Sequence, residues 1–173
     1  MSNRTLASVA LAAFSLTPCL AFADDLSTQV SVRPINATYF IEPDSTSYSG
    51  NVTIDPASLH DPRYKLKSIA ITDITIATKG PDLGTFSGTV KINGVNLFTY
   101  TGQWKAFETA QSLLKSQWLK KNQSGINALT DALIRGKPVV MSVSGIAEKA
   151  PTAKNTNSIT VYAPMHGSGL ADN

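Results

Sequence analysis

The chain has 173 residues, 16% of them charged, with a net charge of +3 and a single cysteine. That length suits one domain with a core large enough to stand without covalent staples. The charge is too small to point to nucleic acid, and one cysteine excludes both a disulfide framework and a cysteine-cluster metal site.

The N-terminus has the three parts of an export signal. Arg4 supplies a positive start, and an apolar run spans Leu6 to Leu20. Ala21 and Ala23 then stand where a signal peptidase reads small residues, and Asp24-Asp25 follow at once. The run is shorter than the roughly 20 residues that cross a bilayer, and Pro18 breaks it. Residues 1–23 therefore read as a cleaved signal peptide, and the protein as periplasmic or secreted. A lipoprotein would carry Cys19 after a Leu-small-small sequence. Thr17-Pro18 stands there instead, so lipidation fits badly. Cleavage at Ala23 removes the only cysteine and lowers the net charge to +2 by taking Arg4 away. No second hydrophobic span follows, so the mature chain, 24–173, is expected to be soluble and to hold together by packing.

Its first half is dominated by short runs of alternating polarity. Gln29–Val32, Ala37–Ile41 and Asn51–Ile54 are strand signals bounded by Pro, Gly, Asn and Asp. In the run Tyr64–Thr78, Ile69 and Ile71 share one face and Ile74 and Ile76 the other, a one-residue slip. A bulge near Thr72-Asp73 would return all four to one face. A strand buried on both sides is the other reading. Asn93-Gly94 lies between two alternating runs within Phe86–Tyr100 and predicts a type I′ hairpin, because both residues accept positive φ. Ile92 would then face Val95, and Val90 would face Leu97.

The period changes after Trp104. Phe107, Ala110, Leu114 and Trp118 recur at three and four residues, which predicts a helix. Ser124 is placed to cap a second short helix carrying Ile126, Leu129 and Leu133, which ends at Gly136 and Pro138. Strands return at Val139–Ile146 and Ser158–Ala163. The Gly-rich tail, 165–173, reads as disordered. The fold class is therefore mainly β: one domain over 24–164, a β-sandwich of about seven or eight mostly antiparallel strands with a helical insertion covering an open end or edge.

The chain is poor in chemistry. His60 sits in a polar turn and His166 in the Gly-rich tail, so both read as surface residues, and no nucleophile motif accompanies them. No metal-binding spacing occurs, no phosphate loop is present, and the carboxylates are scattered. No enzyme, metal or cofactor is expected. Lys115, Lys120 and Lys121 accompany Trp118 and suggest either an anionic contact or a solvated helix face. Asn36-Ala37-Thr38 and Asn51-Val52-Thr53 match glycosylation acceptors, which matter only in a host that glycosylates.

Two segments carry a family resemblance. Phe86–Gly102 holds a strand, an Asn-Gly-Val turn and a second strand closing on Gly. Leu129–Gly145 holds a short helix, a Gly-Lys-Pro-Val turn and a strand ending in Gly. Both resemble the water-stress and hypersensitive-response (WHy) domain of the late-embryogenesis-abundant group-2 family. The Asn-Pro-Asn of that family is absent, with Ile54-Asp55-Pro56 as a loose stand-in. The resemblance implies a sandwich with one helical insertion and no catalytic residues. The resulting expectation is a non-enzymatic binding or stress-protective module. A cleft between helix and sheet, lined by Phe107, Leu114, Trp118, Leu129 and Leu133, would take a hydrophobic small molecule or a protein. The alternative is a structural or adhesive surface protein that assembles through sheet edges.

Overall fold

A computed structural model describes residues 27–171. The expected signal peptide and Cys19 lie outside the described residues. The strands are β1 (Thr28–Val30), β2 (Ile35–Phe40), β3 (Ser47–Ile54), β4 (Tyr64–Ile71), β5 (Thr75–Lys79), β6 (Thr85–Ile92), β7 (Val95–Gln103), β8 (Gln111–Ser112) and β9 (Leu119–Lys121). Helix α1 (Gln123–Ile134) follows, then β10 (Val139–Ala147), β11 (Ser158–Ala163) and β12 (Met165–Ala171). All pairings between these strands are antiparallel, and the fold is mainly β with one helix, as a sandwich with a helical insertion requires.

One layer is a continuous sheet in the order β3-β10-β6-β7-β9. The other layer consists of two sheets, β1-β12-β4 and β2-β11-β5-β8. Their orders correspond: β1 leads into β2, β11 into β12, and β4 into β5. They form one layer broken at a single level. Arg33-Pro34 precedes β2, Pro164 separates β11 from β12, and Thr72–Ile74 separates β4 from β5. Proline cannot donate to a ladder, so the break falls where two prolines stand. The ladder is carried across it by the Thr72 amide, which donates to the Pro164 carbonyl at 3.1 Å. Three residues, Thr72–Ile74, lie opposite two, Ala163-Pro164. The slip expected near Thr72-Asp73 is therefore present, as an extra residue at a break that divides the run into two strands. Ile69, Ile74 and Ile76 are buried and Ile71 half-buried.

The hairpin forms at Asn93 (φ 48°) and Gly94 (φ 84°). Its tip is clamped to β10: the Asn93 amide donates to the Val140 carbonyl, and the Val140 amide donates to Asn93 Oδ1 at 2.8 Å. Ile92 faces Val95 as expected, but Val90 faces Phe98 and not Leu97. A bulge in β7 is the cause. It lets Leu97 and Phe98, neighbours in sequence, both be fully buried.

The inner face of the five-stranded sheet carries a row that crosses four strands: Tyr48, Gly145, Gly88 and Tyr100. The two glycines leave a trench, and the tyrosines lie over it with their hydroxyls 2.9 Å apart. A Cβ at Gly88 would come within 2.4 Å of Tyr100 Oη, and one at Gly145 within 2.4 Å of Tyr48 Oη. Tyr48 also donates to the Ser87 carbonyl at 3.0 Å. From the opposite layer, Tyr39 packs on Gly50 and donates to the Met141 carbonyl at 3.0 Å, tying the two layers together. Burial raises the pKa of all three phenols, since the charged form would lose its hydration.

The helix expected over Phe107–Trp118 does not form. A single 3-10 turn (Trp104–Phe107) leads to β8, and further turns lead to β9. Side chains there take the backbone groups a helix would need. Ser112 Oγ accepts from the Leu114 amide, Ser116 Oγ accepts from the Trp118 amide, and Gln111 Nε2 donates to the Ala106 carbonyl at 2.7 Å. Tertiary pairing completes the override, with Gln111 opposite Ile76 and Leu119 opposite Tyr100.

The second helix, α1, forms as expected, but Asn122 caps it in place of Ser124: Asn122 Oδ1 accepts from the Ser124 amide at 3.0 Å. Gly136, at φ 62°, closes it. The Gly136 amide donates to the Leu133 carbonyl and the Lys137 amide to the Ala132 carbonyl, which is the Schellman arrangement. Helix α1 packs against β7, β6 and β10 of one layer and β4 of the other, so it covers an open end of the sandwich. Gly125 allows the approach, since its Cβ would meet the Asn96 carbonyl oxygen.

The tail expected to be disordered from 165 is instead strand β12 through Ala171. Gly167 and Gly169 fit beneath Val32 and Val30, where a Cβ would lie 2.7 and 3.1 Å from their methyl groups. These glycines serve packing.

Candidate binding surface

The five residues expected to line one cleft do not all come together, although Phe107 and Trp118 meet over Gly102. Phe107, Leu129 and Leu133 are core residues with no free face. Leu114 is 63% exposed and Trp118 is 38% exposed, at different places on the surface. Leu113 and Leu119, the neighbours of those two, take the buried positions. The apolar hollow at Leu114, shared with Ile71, Ile74 and Ile126, holds 40 Å³. Small-molecule sites occupy about 300–1,000 Å³, so this hollow is too small for a lipid chain.

His60 is half-buried with Nδ1 3.1 Å from the Pro56 carbonyl oxygen, and His166 is exposed on β12. His166 borders an open cleft of 440 Å³ with Gln29, Val30, Ser31, Val32 and Met165. That cleft offers one titratable side chain and no partner for it. Among the described residues no three His, Cys, Asp or Glu side chains gather as a metal site would need.

The outer face of the five-stranded sheet is different. Side chains alternate across a strand, and here the outward positions are nearly all hydroxyls and amides. One row runs Ser49, Ser144, Thr89, Thr99 and Lys120 across all five strands. The row on one side is Asn51, Ser142, Lys91 and Asn96, and on the other Ser47, Ile146, Ser87 and Thr101. Within these rows the spacing is about 4.8 Å across strands and about 6.8 Å along them. None of these positions holds an acid. Each hydroxyl is both donor and acceptor, so the face presents a lattice of bivalent polar groups with one cation, Lys91, on the central strand and another, Lys120, at the margin.

That margin is shaped. Strand β9 brings Lys120 and Lys121 to the edge of the sheet, while Lys115 lies in the turn before it. Two open clefts flank Lys120. One, 350 Å³, is lined by Asn96, Thr99, Lys121, Asn122 and Gln123 among others. The other, 340 Å³, is lined by Thr99, Thr101, Gln117 and Trp118. Trp118 rests against Gly102, 3.3 Å from where a Cβ would stand, which fixes its ring at the rim.

Sequence reasoning marked Lys120, Lys121 and Trp118 but placed them on a helix. It missed the hydroxyl rows, whose signal is present: Ser47, Ser49, Asn51 and Thr53 recur at every second residue, as do Ser87 and Thr89, Thr99 and Thr101, and Ser142 and Ser144. No family model matches the chain, and no curated protein sequence matches it.

Proposed function

We propose that the protein is a non-enzymatic binding module, exported to the periplasm or beyond, whose working surface is the outer face of the five-stranded sheet. Its ligand is an extended, polyhydroxylated chain that carries acidic groups. The observation that carries this reading is the row from Ser49 to Lys120, uncharged over four strands and cationic at the fifth. Hydroxyl pairs and bridging waters supply many modest contacts along such a chain. Lys91 and Lys120 favour its acidic groups, and no carboxylate stands in these three rows, Glu148 lying one row beyond Ile146 and Ser87. The resemblance to the WHy domain, with no catalytic residues, supports the same non-enzymatic class.

The test is titration of polygalacturonate and of dextran into the labelled protein, followed by amide chemical shifts. Polygalacturonate is expected to move Thr89, Thr99, Thr101, Ser144 and Lys120 together, and to bind less tightly as salt screens the lysines. Lys91→Ala with Lys120→Ala should weaken it by about tenfold, since each lost charge contact is worth up to roughly 1 kcal/mol. Shifts confined to another face, or equal response to dextran, would overturn the reading.

A further inference from the structure

The edges of the two layers are not equally protected. An unpaired edge offers a row of free amides and carbonyls to any other strand, and folded proteins blunt it with charge, proline, bulges or brevity. β1 has three residues and is followed by Arg33-Pro34. β2 lies between Pro34 and Glu42-Pro43. β4 carries Lys65 and Lys67 and a register shift opposite Ser168-Gly169. β8 has two residues, and β9 has three, two of them lysines. β3 has only a flanking one, Asp55-Pro56 after its last residue. Its eight residues, Ser47–Ile54, contain no charge, no proline and no register shift against β10. Among the described residues nothing pairs with its outer side.

We infer that the free edge of β3 pairs antiparallel with β3 of a second copy of this chain, about a two-fold axis at Gly50. The sequence of the strand is complementary to itself in that register. Tyr48 falls opposite Val52, an aromatic with a β-branched residue, which is a favourable cross-strand pair. Ser49 falls opposite Asn51 and Ser47 opposite Thr53, so hydroxyls and an amide meet with no like charges. Each pair occurs twice, as a two-fold interface demands. Val52 and Ile54, half-buried against the core in the single copy, would gain cover. A charged partner strand would find no countercharge on this edge, which favours the second copy. The inference stands apart from the proposed ligand.

Light scattering behind size-exclusion chromatography on the full chain, purified as its host processes it, tests this. A dimer is expected, with slow exchange of the outward β3 amides. Ser49→Lys with Asn51→Lys sets lysine against lysine and should raise the dimer dissociation constant by tenfold or more, about what one kcal/mol-scale repulsion supplies. Ser49→Glu with Asn51→Glu should do the same. Mixing the two variants should restore a dimer, because both positions are exposed and neither change touches the core. A wild-type monomer at high concentration, a dimer indifferent to both charge pairs, or failure of the mixture to associate would overturn the inference.

Discussion

The two layers of the sandwich hold their shape by opposite means. The five-stranded sheet is continuous over its full height, with no proline within its strands and with β10 paired to both neighbours along most of its length. Its opposite layer is interrupted at one level in three strands at once and is bridged there by the Thr72 bond to Pro164. In the first layer the inner face is hollowed by glycines and spanned by tyrosine hydroxyls. In the second, apolar residues such as Ile35, Ile76, Val161 and Met165 fill the face on either side of the break. A continuous sheet needs its interior fitted closely, because every row is locked to the next. A broken layer can adjust at the break, so single residues there are expected to matter less.

The largest effect should come from filling the trench. Gly88→Ala would place a methyl group within 2.4 Å of Tyr100 Oη and 2.5 Å of the Ser144 carbonyl oxygen. Overpacking of this kind costs typically about 1–3 kcal/mol, and the backbone contact places Gly88→Ala toward the upper end. Tyr100→Phe alone removes one hydroxyl while Tyr48 keeps its bond to the Ser87 carbonyl, so it should cost only about 1 kcal/mol. In the double variant the contact with Oη is gone, while those with the ring Cζ at 2.6 Å and with the Ser144 carbonyl oxygen remain. Urea unfolding of all four proteins should therefore show a favourable coupling of about 1 kcal/mol. Strict additivity would mean that Oη adds nothing to the clash that the ring and the carbonyl already make.

The same tyrosines give the continuous layer a pH signature. Burial raises their folded-state pKa above the ordinary value of 10.0. The unfolded chain then releases protons near pH 10 that the folded chain retains. Their contribution is complete below pH 10 and is lost as pH climbs through the raised folded values. Stability should decline from about pH 10 upward, by up to about 1.4 kcal/mol per pH unit for each retained proton. Tyr48→Phe should make the decline shallower. Denaturant midpoints between pH 8 and 11 would measure both slopes.

Where local chemistry decides the backbone, the sequence was readable. Asn93-Gly94 accepts positive φ, and Gly136-Lys137-Pro138 ends α1, whatever surrounds them. Where a long-range contact decides, it was not. The stripe Phe107, Ala110, Leu114, Trp118 has helical spacing, yet Gln111 pairs with Ile76 and Leu119 with Tyr100, and the buried leucines are the adjacent ones. Val90 slipped by one partner because the β7 bulge answers to packing of both Leu97 and Phe98. The glycines of β12 read as looseness, although they mark close packing under Val30 and Val32. The alternating hydroxyls of the candidate surface stand in the sequence but went unread, because only strand order brings Ser49, Ser144, Thr89 and Thr99 into one row.

Pro164 sharpens the contrast from the other side, with the smallest expected effect. Its carbonyl, not its ring, accepts the Thr72 amide and lies 3.2 Å from Thr72 Oγ1. Pro164→Ala keeps that acceptor. What it loses is the restriction proline places on the unfolded chain, worth about 0.4–1 kcal/mol. It also gains an amide at a level where the ladder is already interrupted. The expected loss by urea unfolding is below about 1 kcal/mol, well short of Gly88→Ala. A larger loss would mean that the ring itself fixes the break, and that the second layer is as closely fitted as the first.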